Sequence, residues 1–416
     1  MRKYMFLSGL LVLLTILQFS CRPDDANKGV SPAYRVGLLD SLLNAAVNHN
    51  EIPGAVACIV RDGRVIYHKA VGWRNLAKQI AMEEDDIFRM ASMTKGLTAV
   101  AILQLCEKGL LFLDEDVSHY LPEFRNPQVL LKVLPDSGFL SRPSDGEITI
   151  RQLLTHTSGI GYGFQDSSYN ALIIKNNISE GFEDDDRTSL ENIQRLARIP
   201  LLFEPGERYT YGLSYDVLGV VIEKVSGMRY DEYITKNILL PLGMVNSHFL
   251  VPEEKKHRLV SVYQPSPEGN GVEPATYPDT IYPVIPTRRY FSGGADLCST
   301  AEDYARFVSM VLNHGSLHHT RIIGKRYIDM MLSKQTTLDD GDSDQGFAAW
   351  VTNTRGAARG PMSLGSYGFG GFFDTYAWAD PESNFVAVLL LQMYPNNQHN
   401  LHRKFQQIVY GTIDDL

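Results

Sequence analysis

The two ends of this chain carry the same signals in mirror order, and that symmetry limits the folds open to it. Near the start, YRVGLLDSLLNAAVNHN reads as an amphipathic helix, and AVACIVRDGRVIYHKAVG follows as two β-rich runs joined at Asp62-Gly63, a strong hairpin signal. Near the other end, DTYAWADPESNFVAVLLLQMY gives two more strands across Asp380-Pro381, and LHRKFQQIVYGTI a closing helix. Helix-hairpin at one end and hairpin-helix at the other imply an α/β fold. Its antiparallel sheet is formed by the N- and C-terminal parts, with helices packed on its faces. From about Leu110 to Pro286 the pattern changes to helical runs separated by Pro, Gly and acidic loops such as GFEDDDRTS, with few strands. Residues 110–286 therefore read as a mainly helical insertion. The cleft where the two parts meet is the expected place for a ligand, shaped by Leu130 to Glu147 and Gly161 to Pro200. No internal repeat is visible.

A chain of 416 residues, 44% hydrophobic, can bury a large core. Its net charge of -9 and the absence of a long Lys/Arg run argue against nucleic acid as a partner and leave small molecules or peptides. Arg2 and Lys3 precede an apolar run from Met5 to Phe19. That run is shorter than the roughly 20 residues of a comfortable membrane span and fits a secretory signal. Cys21 follows at once, and the segment resembles a bacterial lipoprotein signal. The resemblance implies a signal peptide over 1–20, lipidation at Cys21, a polar tether over 21–31 and a domain over 32–416. It also implies export and anchoring to a bacterial membrane, at the periplasmic or the cell-surface side. Ordinary secretion and a retained anchor are the alternatives. The other cysteines, Cys58, Cys106 and Cys298, sit in apolar or small-residue settings and read as buried thiols.

The stretch RMASMTKGLTAVAILQLCEKG, Arg89 to Gly109, reads as a helix with Ser92 as its N-cap and Gly109 as its stop. A helix built only for stability would carry Glu or Gln three residues after the cap, where this one carries Lys95. Ser92 and Lys95 share a helix face, so their side chains can meet. A serine becomes a nucleophile when a base takes its proton, and desolvation with an opposing helix dipole would lower a lysine to that task. By spacing alone, a cap with a solvated lysine is the better explanation of the stretch, since one SxxK per few hundred residues arises by chance.

Context decides between them. The segment continuing to LFLDEDVSHYLPEF resembles the active-site segment of the serine β-lactamase and penicillin-binding-protein-like family, in its class C and esterase branch. So do ITIRQLLTHTSGI, FEPGERYTYGLSYDVLGVVIEKVSG, FSGGADLCSTAEDYARFVSMVLNHG and YGFGGFFDTYAWADPESNFVAVLLLQ. The resemblance implies a β-lactamase/transpeptidase-like fold with Ser92 as nucleophile, and Lys95 and Tyr211 as general base and acid. It places Leu213 where the lactamases carry an amide-binding Asn. It aligns Phe369, Gly370 and Gly371 with the family's KTG-like triplet, as substrate-binding residues, and forms the oxyanion hole from the Ser92 and Phe372 amides. Leu213 and Phe369 put β-lactam turnover in doubt and favour neutral, ester-like ligands.

The expected activity is that of a serine hydrolase acting through an acyl-serine on a small ester or amide, without metal or cofactor. Transfer of the acyl group to an alcohol or amine, β-lactamase or D-amino-acid peptidase activity, and a non-catalytic binding protein are the alternatives. His156 reads as a hydrogen-bonding support to the site. His314, His318 and His319 read as a chance surface cluster and LDDGDSDQG as a faint calcium-loop likeness. Neither a GxSxG elbow nor HExxH is present. The oligomeric state is not legible.

Overall fold

A computed structural model describes residues 32–414, apart from 136–137, 183–185, 270, 278–281, 285, 339 and 396–398. The expected signal peptide, the tether and Cys21 lie outside the described residues.

The Asp62-Gly63 signal forms the expected hairpin. β1 (Gly54–Arg61) turns into β2 (Arg64–Asn75) with φ of 50° at Asp62 and 73° at Gly63, and β3 (Ile80–Ala81) pairs with the end of β2. The C-terminal part supplies β4 (Thr336–Thr337), β5 (Ser343–Gln345), β6 (Trp350–Thr352), β7 (Tyr367–Gly371), β8 (Thr375–Asp380) and β9 (Phe385–Leu390). The sheet runs β4-β5-β6-β7-β8-β9-β1-β2-β3, and its pairings are antiparallel. The two ends of the chain join at β9 and β1, with Val56 opposite Leu390 and Arg61 opposite Phe385.

Strand alternation sorts the central side chains into two layers. Ala55, Ala57 and Ile59, with Ala387 and Leu389, face α1 (Pro32–Asn48) and α5 (His399–Thr412) through Leu39, Leu43, Phe405 and Val409. Val56, Cys58, Val386 and Val388 join the other core, with Leu97 of α2 (Thr94–Glu107) and Phe307 of α4 (Ala301–Leu312). Both faces are covered, so β9 is buried throughout. Cys58 and Cys298 are buried and Cys106 half-buried, all three as free thiols, and burial pushes each up to about 12.

Between residues 110 and 286 most described elements are short helices and 3-10 turns joined by loops, with α3 (Ser214–Ser226) the longest described helix. Two hairpins there were not expected: Gln128–Val133 with Phe139–Pro143, and Tyr263–Pro265 with Val272–Pro274. The first is hidden because its register shifts between Leu130 and Lys132, which breaks the alternation that marks a strand. The second has only three residues in each strand.

The start of α2 corrects the capping assignment. Ala91–Met93 form a separate 3-10 turn, and α2 begins at Thr94 with Met93 in the cap position and no side-chain cap bond. Ala91 has φ of 46°, a left-handed conformation uncommon for a residue with a Cβ. Thr94 locks this turn: its Oγ1 donates to the Ala91 carbonyl at 2.6 Å and accepts the Leu297 N–H at 3.0 Å. The helix is buried on all sides from Thr94 to Leu105, so it is a central element and not an amphipathic surface one. It ends as expected at Gly109, with φ of 68°.

Candidate active site

The turn before α2 projects Ser92 beside two groups. Lys95 Nζ lies 3.2 Å from Ser92 Oγ, and the Tyr211 hydroxyl donates to the same oxygen at 2.6 Å. Tyr211 comes from the loop ahead of α3, whose backbone runs against residues 160–161. A Cβ on Gly212 would lie 2.1 Å from the Ile160 carbonyl, so only glycine allows that approach. His156 holds the same loop from the other side. Its Nδ1 accepts the Gly212 N–H at 3.3 Å and its ring lies 4.7 Å from that of Tyr211. Burial lowers His156 well below its ordinary value, so the ring is neutral and can accept that bond. This is the supporting hydrogen bond expected of it.

Lys95 is buried, and its environment has features the sequence did not reveal. Its Nζ donates to the Gly294 carbonyl at 2.8 Å and lies 3.5 Å from the Tyr162 hydroxyl. Burial pushes the ammonium down to about 7, while the charge of Asp216 acts in the opposite direction. The neutral amine has two N–H donors and one lone pair. With the donors directed at Gly294 and Tyr162, the lone pair is left for the Ser92 hydroxyl. Burial raises the Tyr211 phenol, so in the resting protein it is a proton donor and not a tyrosinate. Asp216, on α3, accepts from the Tyr290 hydroxyl at 2.8 Å, and burial raises its carboxyl. A Cβ on Gly294 would lie 2.9 Å from Asp216 Oδ2 and 3.3 Å from both Lys95 Nζ and Tyr162 Oη. The three side chains therefore converge beside Gly294.

Ser92 and Tyr211 open into a cavity of about 810 Å³. Residues 162–182 form one wall and the β7–β8 turn another. It is thus the expected cleft, although none of the described residues from Leu130 to Glu147 is in its lining. Gly371 docks the end of β7 beside the Ser92 turn: a Cβ there would lie 2.3 Å from the Met90 carbonyl, whereas one on Gly370 would meet only Tyr376 at 3.9 Å. Gly370, Gly371 and Phe372 line the cavity, and the Phe372 ring stacks on Tyr394 at 3.7 Å.

Two expected substrate contacts are corrected. Leu213 is wholly buried at the start of α3, and Phe369 is 2% exposed beneath α2. The Phe369 ring packs 5.9 Å from Phe307 and 6.3 Å from Tyr304. Neither lines the cavity. Phe369 shares the side of β7 on which Gly371 meets the Ser92 turn, but it lies farther along the strand under α2, where a Cβ on Gly96 would come within 2.9 Å of its ring, so the helix covers it. Outside the site, His314 pairs with Asp329, and Asp342 of LDDGDSDQG is held by Arg355 and Arg359. The histidines bring no three ligand atoms together among the described residues.

An antiparallel sheet between helical layers, with a serine at the foot of a buried helix and a lysine and tyrosine upon it, defines an α/β enzyme fold of the β-lactamase and transpeptidase type. The chain belongs to the Beta-lactamase family, whose model matches residues 39–410. It is 30% identical to esterase EstB of Burkholderia gladioli over 367 residues, covering 85% of this chain and 89% of the esterase. Among solved structures it resembles EstCE1, described as a hydrolase with promiscuous acyltransferase activity. That match has a TM-score of 0.78 and 26% identity, over 91% of this chain and 98% of the other. A variant of simvastatin synthase from Aspergillus terreus shares the fold with a TM-score of 0.80 at 22% identity, over 94% of this chain and all of that one. The family and these relatives make it a serine-hydrolase-type enzyme.

Proposed function

We propose that the chain is an exported esterase that works through an acyl-serine on Ser92. The observation that carries this reading is the approach of Lys95 Nζ and Tyr211 Oη to the same serine oxygen, at 3.2 and 2.6 Å. Neutral Lys95 accepts the Ser92 proton as Oγ attacks the ester carbonyl. The Ser92 and Phe372 amides receive the charge that develops on the carbonyl oxygen. The proton on Lys95 then passes by way of Tyr211 to the leaving alkoxide, the C–O bond breaks, and the acyl group remains on Ser92. Water activated by the same pair releases the acid and restores the serine.

Esters are favoured over β-lactams because the described lining holds no Lys or Arg to receive a lactam carboxylate, and because esterase EstB is among the relatives. Acyl transfer is the second reading, supported by the likeness to EstCE1. An alcohol would then replace water in the last step.

The test is mass spectrometry of the purified protein after a fluorophosphonate, with steady-state rates on para-nitrophenyl esters, D-amino acid amides and a chromogenic cephalosporin. Labelling of Ser92, loss of acylation in Lys95→Met and turnover of esters are expected. An unlabelled Ser92 in folded protein overturns catalysis, and efficient cephalosporin turnover overturns the ester preference. Faster turnover on adding alcohols would assign transfer. Export and lipidation at Cys21 rest on the N-terminal sequence, and Cys21→Ser should move the protein from the membrane to the soluble fraction.

A further inference from the structure

The cavity above Ser92 has a chemistry of its own. Its outer walls are aromatic: Phe182 lies 5.6 Å from Phe372 and 6.3 Å from Tyr277, and Phe372 stacks on Tyr394. Phe164, stacked on Tyr162 at 4.9 Å, stands at the rim. Two carboxylates join these rings in the lining, Glu180 and Asp374. Glu180 accepts the Gly163 N–H at 2.5 Å. Asp374 lies within hydrogen-bond distance of His402 Nε2, at 2.8 Å. No Lys or Arg is among the described lining residues, and Lys95 lies behind Ser92 with its amine turned to the Gly294 carbonyl.

Ring faces carry negative potential and attract cations, most strongly where water is displaced. A carboxylate on the same wall adds to that potential, and the described lining holds no Lys or Arg to oppose it. A carboxylate-bearing substrate would meet both, along with the cost of leaving water.

We infer that this pocket selects esters carrying an ammonium group, in preference to neutral esters of the same shape and against anionic ones. The inference rests on the esterase reading and names its substrate class. Glu180 is the residue assigned to the preference, with the rings as its partners.

The experiment uses the purified wild-type protein and two matched ester series. In the first, the acyl group of a para-nitrophenyl ester is trimethylammonio-butanoate, its tert-butyl carbon isostere, or glutarate. In the second, the thioacetate alcohol is thiocholine, its tert-butyl isostere, or a thiol ending in a carboxylate. In at least one series the cationic member should exceed its neutral isostere in kcat/KM by about tenfold, with the anionic member slowest. Glu180→Gln should bring the cationic-to-neutral ratio toward one. Glutamine retains an acceptor for the Gly163 N–H, so the wall is kept.

Equal kcat/KM for cationic and neutral members in both series, or an anionic member as fast as the neutral one, overturns the inference while leaving the esterase reading in place. A ratio unchanged by Glu180→Gln overturns the assignment to Glu180. If no member of either series acylates Ser92, it is the esterase reading that fails.

Discussion

Lys95 carries the conflict on which the proposed chemistry depends. Burial favours its neutral form and Asp216 its charged form, and burial prevails, bringing the amine down to about 7. With the neutral amine as base, kcat/KM should rise with pH through about 7 and then level off. Asp216→Asn keeps an acceptor for Tyr290 and removes the charge that favours the ammonium, so the rising limb should move to lower pH. An unmoved limb would show that Asp216 does not set the base. The same shift has a cost in stability. Between about 7 and the ordinary 10.5 the unfolded chain holds the lysine proton and the native protein does not, so native stability rises with pH across that window. Below the window both states are protonated and the penalty is complete. Lys95→Met abolishes the penalty, so its gain over wild type should be larger at pH 6 than at pH 10, by up to a few kcal/mol. Urea titrations at the two pH values measure the difference, and a gain independent of pH would contradict the shifted lysine.

At the scale of elements, the site depends on two backbone approaches that glycine permits. β7 meets the Met90 carbonyl at Gly371, and the Tyr211 loop meets Ile160 at Gly212. Gly371→Ala places a methyl 2.3 Å from backbone and must push β7 from the serine turn. A loss of about 1–3 kcal/mol and at least a tenfold fall in kcat/KM are expected. Gly370→Ala meets nothing nearer than 3.9 Å and should change the unfolding midpoint little. Denaturant midpoints and kcat/KM for the pair check this, and equal effects would remove the special role of Gly371. These elements also show what a sequence can disclose. Ser92 and Lys95 were legible as a pair because they are three residues apart where one turn of chain brings them together. Tyr211 was legible only through the resemblance of its block, since nothing local points it at Ser92. Tyr162, Asp216 and the Gly294 carbonyl were not legible, because distant segments must first fold to bring them to one amine. The Ser92 turn was misplaced because a positive φ at Ala91 leaves no mark in composition. Phe369 was misread because a motif aligns residues without saying which of them a distant helix will cover.

For the molecule as a whole, the sheet separates two cores, only one of which reaches the chemistry. The mirrored ends were legible because strand alternation and the Asp62-Gly63 turn are local, and β9 beside β1 follows from them. The middle was less so, since its hairpins are short or out of register. The layering makes a prediction that no single site could. Leu43 on α1 and Leu97 on α2 are both fully buried, the first in the core under α1 and α5, the second in the core that holds the helix carrying Lys95. Truncating either to alanine removes a comparable side chain and leaves a cavity, at a cost of roughly 2–5 kcal/mol. The two should part in activity. Leu97 lies two residues from Lys95, and small displacements of α2 alter the geometry on Ser92, so Leu97→Ala should lower kcat/KM of the folded protein by roughly tenfold or more. Leu43→Ala acts across the sheet, so its folded fraction should retain wild-type kcat/KM. Urea unfolding with active-site titration by a fluorophosphonate separates the folded fraction from the rate per site. Equal losses of kcat/KM in the two variants would mean that the sheet transmits strain between its faces and that stability and catalysis are not divided between the layers.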